Sequence, residues 1–131
     1  MNTKFKLTLA ILAGVAIGAA AVNGLHAQAK APLLLVSEID VSNPDAYGRE
    51  YATKQQALIK KSGGRFLAIG GAGAGKVTAL DGEAPKRSTI QLWDSMEQYQ
   101  AYRNTTEFKE LRAIGEKYAK FRTFAVDGVA P

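Results

Sequence analysis

The sequence has no cysteine, and among its 131 residues only one histidine, His26. His26 falls in an N-terminal stretch with the form of a removable leader, so the domain after it has neither residue. That pair of absences excludes Ser-His-Asp and Cys-His catalysis, zinc sites with the usual nitrogen and sulfur ligands, and haem held by His or Cys. Any chemistry falls to carboxylates, Lys, Arg, Tyr, backbone groups or a bound cofactor. No disulfide ties the fold and no lipid is attached through cysteine, so the core alone holds the domain. A domain of this size buries roughly 65% of its unfolded surface, enough to fold alone. A concentrated basic face is missing too: Lys60-Lys61 and Lys86-Arg87 are only pairs. Nucleic-acid binding normally needs more than that.

What is present begins with a targeting pattern. Lys4 and Lys6 precede an uncharged apolar run, Leu7 to Val22, and Ala27-Gln28-Ala29 supplies the small-residue exit that signal peptidase accepts. The alternative is a permanent anchor, but the run falls short of the ~20 residues a spanning helix needs and is rich in Ala and Gly. Residues 1–29 are therefore read as a signal peptide and 30–131 as one domain, periplasmic or secreted, with no stable membrane anchor after cleavage. Removing Lys4 and Lys6 from the 17 basic residues leaves 15 against 12 acidic, so the charge falls from +5 to +3.

Along the domain, Leu33 to Val41 has the apolar, partly alternating pattern of a strand. Asn43-Pro44-Asp45 is a helix start: a capping side chain, a proline suited to the first turn, and an acid at the positive end. One helix then runs to about Lys61, with Tyr47, Tyr51, Leu58 and Lys54 recurring on one face, and Ser62-Gly63-Gly64 ends it. Arg65 to Ile69 reads as a second strand, interrupted by Gly70 to Gly75 and resumed over Val77 to Leu80. Asp81-Gly82 marks a turn, and Arg87 to Trp93 alternates as a third strand. Ser95 and Gln98 form a capping box for a helix bearing Met96, Tyr99 and Tyr102. Thr105-Thr106-Glu107 starts another, with Phe108, Leu111, Ile114, Tyr118 and Phe121 on one side. Arg122 to Val126 closes as a fourth strand. The order βαββαβ is that of an α+β, ferredoxin-like domain, with helices on one face of a four-stranded antiparallel sheet.

Such a sheet leaves a second face to cover. Ser88, Ile90 and Leu92 share one side of the third strand; Arg87, Thr89, Gln91 and Trp93 share the other. A set containing Trp93, Gln91 and Glu38 is too apolar at one end for a solvated surface, so two chains are expected to pack sheet to sheet as a homodimer. The alternative is that Trp93 tucks under a loop of its own chain.

Several motifs suggest sites. Gly70 to Thr78 looks like a phosphate loop but carries Val77 where Ser or Thr is required, and a strand rather than a helix is expected after it. Arg65 and Arg87, on neighbouring strands, are candidates to clamp a carboxylate; the alternative is solvation or pairing with Glu38, Asp40 or Asp81. Tyr47, Tyr51, Tyr99 and Tyr102 are candidates to line a pocket with Trp93, the alternative being core residues with wet hydroxyls. Glu38, an acid in mid-strand, is the candidate general base if buried, against a plain rim position.

The strings Gly63-Gly64-Arg65-Phe66-Leu67-Ala68, Leu80-Asp81-Gly82, Ala84-Pro85-Lys86-Arg87, Ser95-Met96-Glu97 and Thr106-Glu107-Phe108 with Leu111-Arg112, after the opening Asn43-Pro44-Asp45-Ala46-Tyr47 and Tyr51, resemble the domain-of-unknown-function family numbered 1330. The resemblance spans nearly all of Leu33 to Val129. It implies a dimeric α/β barrel built from two ferredoxin-like sheets and brings no established activity; superfamily relatives include small monooxygenases and dehydratases beside stress-response dimers. The signal peptide, the long glycine loop and Phe108 in place of a common Tyr depart from the pattern. Three readings are open: an exported dimer that binds a small molecule or a partner through Arg65, Arg87, Trp93, Tyr47 and Tyr102; a cofactor-independent enzyme with Glu38 as base; or a structural or stress-related dimer. None invokes a cofactor or a metal.

Overall fold

The computed structural model describes residues 31–71 and 73–130; the expected leader over 1–29 lies outside the described residues. Strand β1 (Leu33–Val41) leads into helix α1 (Pro44–Tyr47), a π turn (Gly48–Ala52) and helix α2 (Thr53–Lys61). Strands β2 (Arg65–Gly71) and β3 (Arg87–Trp93) come next, then helices α3 (Met96–Arg103) and α4 (Thr106–Gly115) and strand β4 (Ala119–Asp127). The sheet order is β2-β3-β1-β4, with every pair antiparallel. Placing the first and third strands at the centre is the ferredoxin-like arrangement expected of this element order.

Local chemistry sets most boundaries. The Asn43 side chain accepts the Ala46 N–H at 3.2 Å, and Pro44 occupies the first turn. Ser95 Oγ accepts Gln98 N–H at 3.1 Å, while Gln98 Oε1 reaches back to the amide of Asp94 at 3.0 Å. Thr105 caps α4 the same way, accepting from Phe108 at 3.1 Å. The chain leaves α2 through Gly63, whose φ of 96° a side chain rarely tolerates.

Three expectations need correction. The single helix to Lys61 contains a π turn, which holds one more residue than an α turn and rotates the helix beyond it. Lys54, expected on the buried face, is therefore exposed, while Leu58, expected there too, is buried together with Ile59. The strand does not resume over Val77 to Leu80. Gly71 N–H donates to Gly75 O at 2.8 Å and Gly75 N–H to Ile69 O at 3.1 Å, folding the glycine run back on itself. Finally, α4 stops at Gly115, where a Cβ would meet the Tyr51 ring at 2.7 Å. Phe121 thus sits in β4, which starts at Ala119 rather than Arg122.

The register sorts the sheet into two faces. Leu33 pairs with Trp93, Leu35 with Gln91, Ser37 with Thr89 and Ile39 with Arg87, and all eight are buried beneath the helices. Trp93 is 1% exposed, with ring centres of Tyr102 and Tyr99 at 5.0 and 5.3 Å. The placement of Trp93 and Gln91 on the uncovered side beside Glu38 is therefore wrong. Side chains alternate along a strand, and Glu38 pairs with Ser88 on the opposite row. Two apolar clusters occupy the helix-covered side, one around Trp93, Tyr102 and Phe108, the other around Ile39, Tyr47 and Tyr51. Between them run buried polar residues, satisfied in part by Ser37 Oγ to Thr123 Oγ1 at 2.9 Å and Trp93 Nε1 donating to Gln91 Oε1 at 3.0 Å.

Candidate functional site

The most informative concavity is a cleft of about 230 Å³ at the end of the sheet where β1 finishes and β3 begins. Val41, Pro44, Tyr47, Gly48, Ala52, Lys86 and Arg87 line it. Its floor is unusual because Arg87 is only 9% exposed. Arginine is seldom buried without a specific reason. The guanidinium carbon lies 5.5 Å from the Tyr47 ring centre, within cation–π range. Burial pushes the Tyr47 phenol above its ordinary 10.0, while the charge of Arg87 and its hydrogen bond pull the other way. At neutral pH that phenol is therefore a neutral donor.

The wall is the π turn, a feature often found at functional sites. Two contacts brace it: Tyr118 Oη donates to Glu50 Oε2 at 2.6 Å, and Thr53 Oγ1 donates to the Gly48 carbonyl at 3.3 Å. Gly48 has ordinary helical φ of −62°, and a Cβ built on it meets nothing within 4 Å. The glycine thus keeps space open at the cleft rather than serving a strained backbone.

A second, open groove of about 410 Å³ lies beside it, lined by residues including Glu38, Asp40, Glu83, Lys86, Lys120 and Arg122. Its charges are largely mutual. Lys86 Nζ meets Asp40 at 2.7 Å and Arg122 meets Glu38 at 3.4 Å. The Asp40 carboxyl is held below its ordinary 3.8 by the hydrogen bond and charge of Lys86.

Of the residues singled out in the sequence, the structure brings together Tyr47 with Arg87 at the cleft, and Trp93 with Tyr102 in the other cluster. It separates Arg65 from Arg87. Arg65 pairs with Leu92 at one end of the β2–β3 ladder and Arg87 with Gly71 at the other, so the two cannot clamp one carboxylate. Arg65 is exposed, and Glu38 is a half-exposed rim residue in an ion pair. Two features went unread. Arg112 stacks 3.7 Å from the Phe121 ring centre and bears on the buried Tyr51 hydroxyl, and the Tyr102 hydroxyl is buried without a hydrogen-bond partner. Burial raises both phenols above their ordinary value. Gly48, a glycine inside a helical pattern, was the one available signal for the π turn.

Among the described residues, no cluster of three or more His, Cys, Asp or Glu could hold a metal ion, and no helix is long and apolar enough to cross a membrane.

No curated protein matches this chain. Solved structures do. The chain is similar to SnoaB from Streptomyces nogalater, described as a cofactor-independent oxygenase, at 10% identity and a TM-score of 0.56 over 77% of this chain and 96% of that one. It is similar to PA3566 from Pseudomonas aeruginosa at 15% identity and a TM-score of 0.51, over 79% and 99% of the two chains. It is also similar to the RPA0582 protein of unknown function from Rhodopseudomonas palustris at 14% identity and a TM-score of 0.50, over 85% and 94%. At these identities the likeness is one of fold. Residues 32–129 match the family described as Domain of unknown function (DUF1330), and the chain belongs to that family.

Proposed function

We propose that this chain is an exported, dimeric binding protein for a small organic molecule, and that the cleft at the π turn is its site. One observation carries the reading: a buried guanidinium and a neutral phenol meet in a concavity whose remaining lining is apolar apart from Lys86. Sites of this kind combine apolar walls with a few placed polar groups. Export rests on Lys4, Lys6, the apolar run and the Ala27-Gln28-Ala29 exit.

Dimerisation rests on the outer sheet face. There Leu34, Val36, Ile90 and Leu92 are only half-buried, and Phe124 and Val126 remain 40% and 44% exposed. An exposed apolar sheet face suits a copy of itself, because a two-fold contact needs only self-complementarity, and two sheets stack face to face about 10 Å apart.

The site is tested by a thermal-shift screen of small organic compounds on the wild-type protein and on Gly48→Trp. Ligands stabilise whatever folded state binds them. Gly48 lines the cleft, its backbone is already helical, and a Cβ there meets nothing within 4 Å, so a side chain is tolerated at the cleft wall. Hits should lose their shift in Gly48→Trp; hits that keep it place the site elsewhere.

Cofactor-independent catalysis is a second reading, favoured by the buried, unpartnered hydroxyl of Tyr102. Such a donor is suited to an oxyanion. It predicts that Tyr102→Phe lowers turnover of a converted hit while leaving its affinity unchanged.

A further inference from the structure

The chemistry of the cleft narrows what it would hold. This step rests on the cleft being the binding site. Drug-sized ligands occupy sites of roughly 300–1,000 Å³, whereas this one measures about 230 Å³. A single ring or a short chain is the matching size. The walls offered by Val41, Pro44 and Ala52 are apolar and select against a polar body such as a sugar.

The polar end is cationic. Arg87 presents a planar fork of donors whose geometry matches a carboxylate. The Tyr47 hydroxyl stays protonated at neutral pH and is a second donor for the same group. Lys86, at the rim, is already engaged by Asp40 at 2.7 Å, which disfavours a dianion that would need both cations. A ligand amine is disfavoured by charge.

We propose that the cleft binds a small apolar monocarboxylate, its acid group at Arg87 and Tyr47 and its apolar body against Val41, Pro44 and Ala52.

Calorimetric titration of the full purified protein with benzoate, benzamide and benzylamine tests this. Benzoate should bind roughly tenfold to a hundredfold more tightly than benzamide, the range expected of hydrogen bonds to a charged partner; benzylamine should bind weakest. Arg87→Lys, which keeps the charge and loses the fork, should weaken benzoate several-fold and leave benzamide little changed. Gly48→Trp should abolish binding of both. If Arg87→Lys does not fold, the three probes on the wild-type protein decide alone. Equal affinity for benzoate and benzamide, with both lost in Gly48→Trp, overturns the carboxylate assignment and leaves the site standing. Absence of benzoate binding, while screening hits remain sensitive to Gly48→Trp, does the same. Benzoate binding undiminished in Gly48→Trp overturns both the site and the assignment.

Discussion

Both faces of the sheet mix apolar and polar residues, but in different surroundings. The helix-covered face buries Ser37, Thr89, Gln91 and Arg87 among its apolar and aromatic residues, whereas the open face presents Leu34, Val36, Ile90, Leu92, Phe124 and Val126 beside the charged end formed by Glu38 and Arg122. The inner polar groups persist because several are bonded to one another: Ser37 to Thr123, and Gln91 to Trp93. Burial of a polar group is costly chiefly when its hydrogen bonds are lost. No such compensation exists for the outer apolar residues, whose exposure is relieved only by covering them. The buried Arg87 at one end of the inner face borders the proposed cleft, and the apolar end of the open face is what the proposed second copy would cover.

This contrast can be broken at either face. Trp93→Ala should have the largest effect, destabilising the protein by about 3–5 kcal/mol in urea unfolding, since the ring is 1% exposed and packed on Tyr99 and Tyr102. A comparable cost at Phe124 would mean that the faces are misassigned. Phe124→Asp should instead leave the far-ultraviolet dichroism unchanged and weaken self-association about tenfold or more in dilution gel filtration, the scale of a central interface residue. Ser37→Ala should cost about 1 kcal/mol, because it leaves Thr123 without its 2.9 Å partner.

The smallest effect is at Asp40, at the far end of the open-face row of β1, where it pairs with Lys120. Its carboxyl is held below 3.8 by Lys86, so the folded form binds its proton less readily than the unfolded form. The stabilisation is complete above the ordinary carboxylate range and fades as pH falls through the lowered folded value. Asp40→Asn should therefore slightly flatten the decline of the melting temperature with acid, an effect that salt diminishes because the pair is exposed.

Periodicity and capping made most of the architecture legible. Leu33–Val41 and Arg87–Trp93 are strands at the expected bounds, and Asn43, Ser95 and Thr105 each mark a helix start by a hydrogen bond that their side chains are suited to make. Alternation also sorts β3 correctly into its two rows. It does not say which row faces the helices, because both rows hold apolar residues and the choice depends on tertiary packing. The outward assignment of Trp93 fails for that reason. At the cleft, Tyr47 and Arg87 are both candidates from the sequence, but their meeting depends on the register of β1 with β3 and on the π turn. An extra residue in one helical turn leaves almost no trace in composition, and the lone hint was Gly48. Arg65 and Arg87 looked like partners because adjacency of strands is readable while their antiparallel offset is not.

Sedimentation equilibrium of the purified protein tests the reading of the open face most directly. A mass twice that of one chain at micromolar concentration, falling to one chain in Phe124→Asp, is the predicted result. A single-chain mass that persists at the highest concentration reached would contradict it, and Leu34, Val36, Phe124 and Val126 would then be a solvent-exposed surface of a monomer.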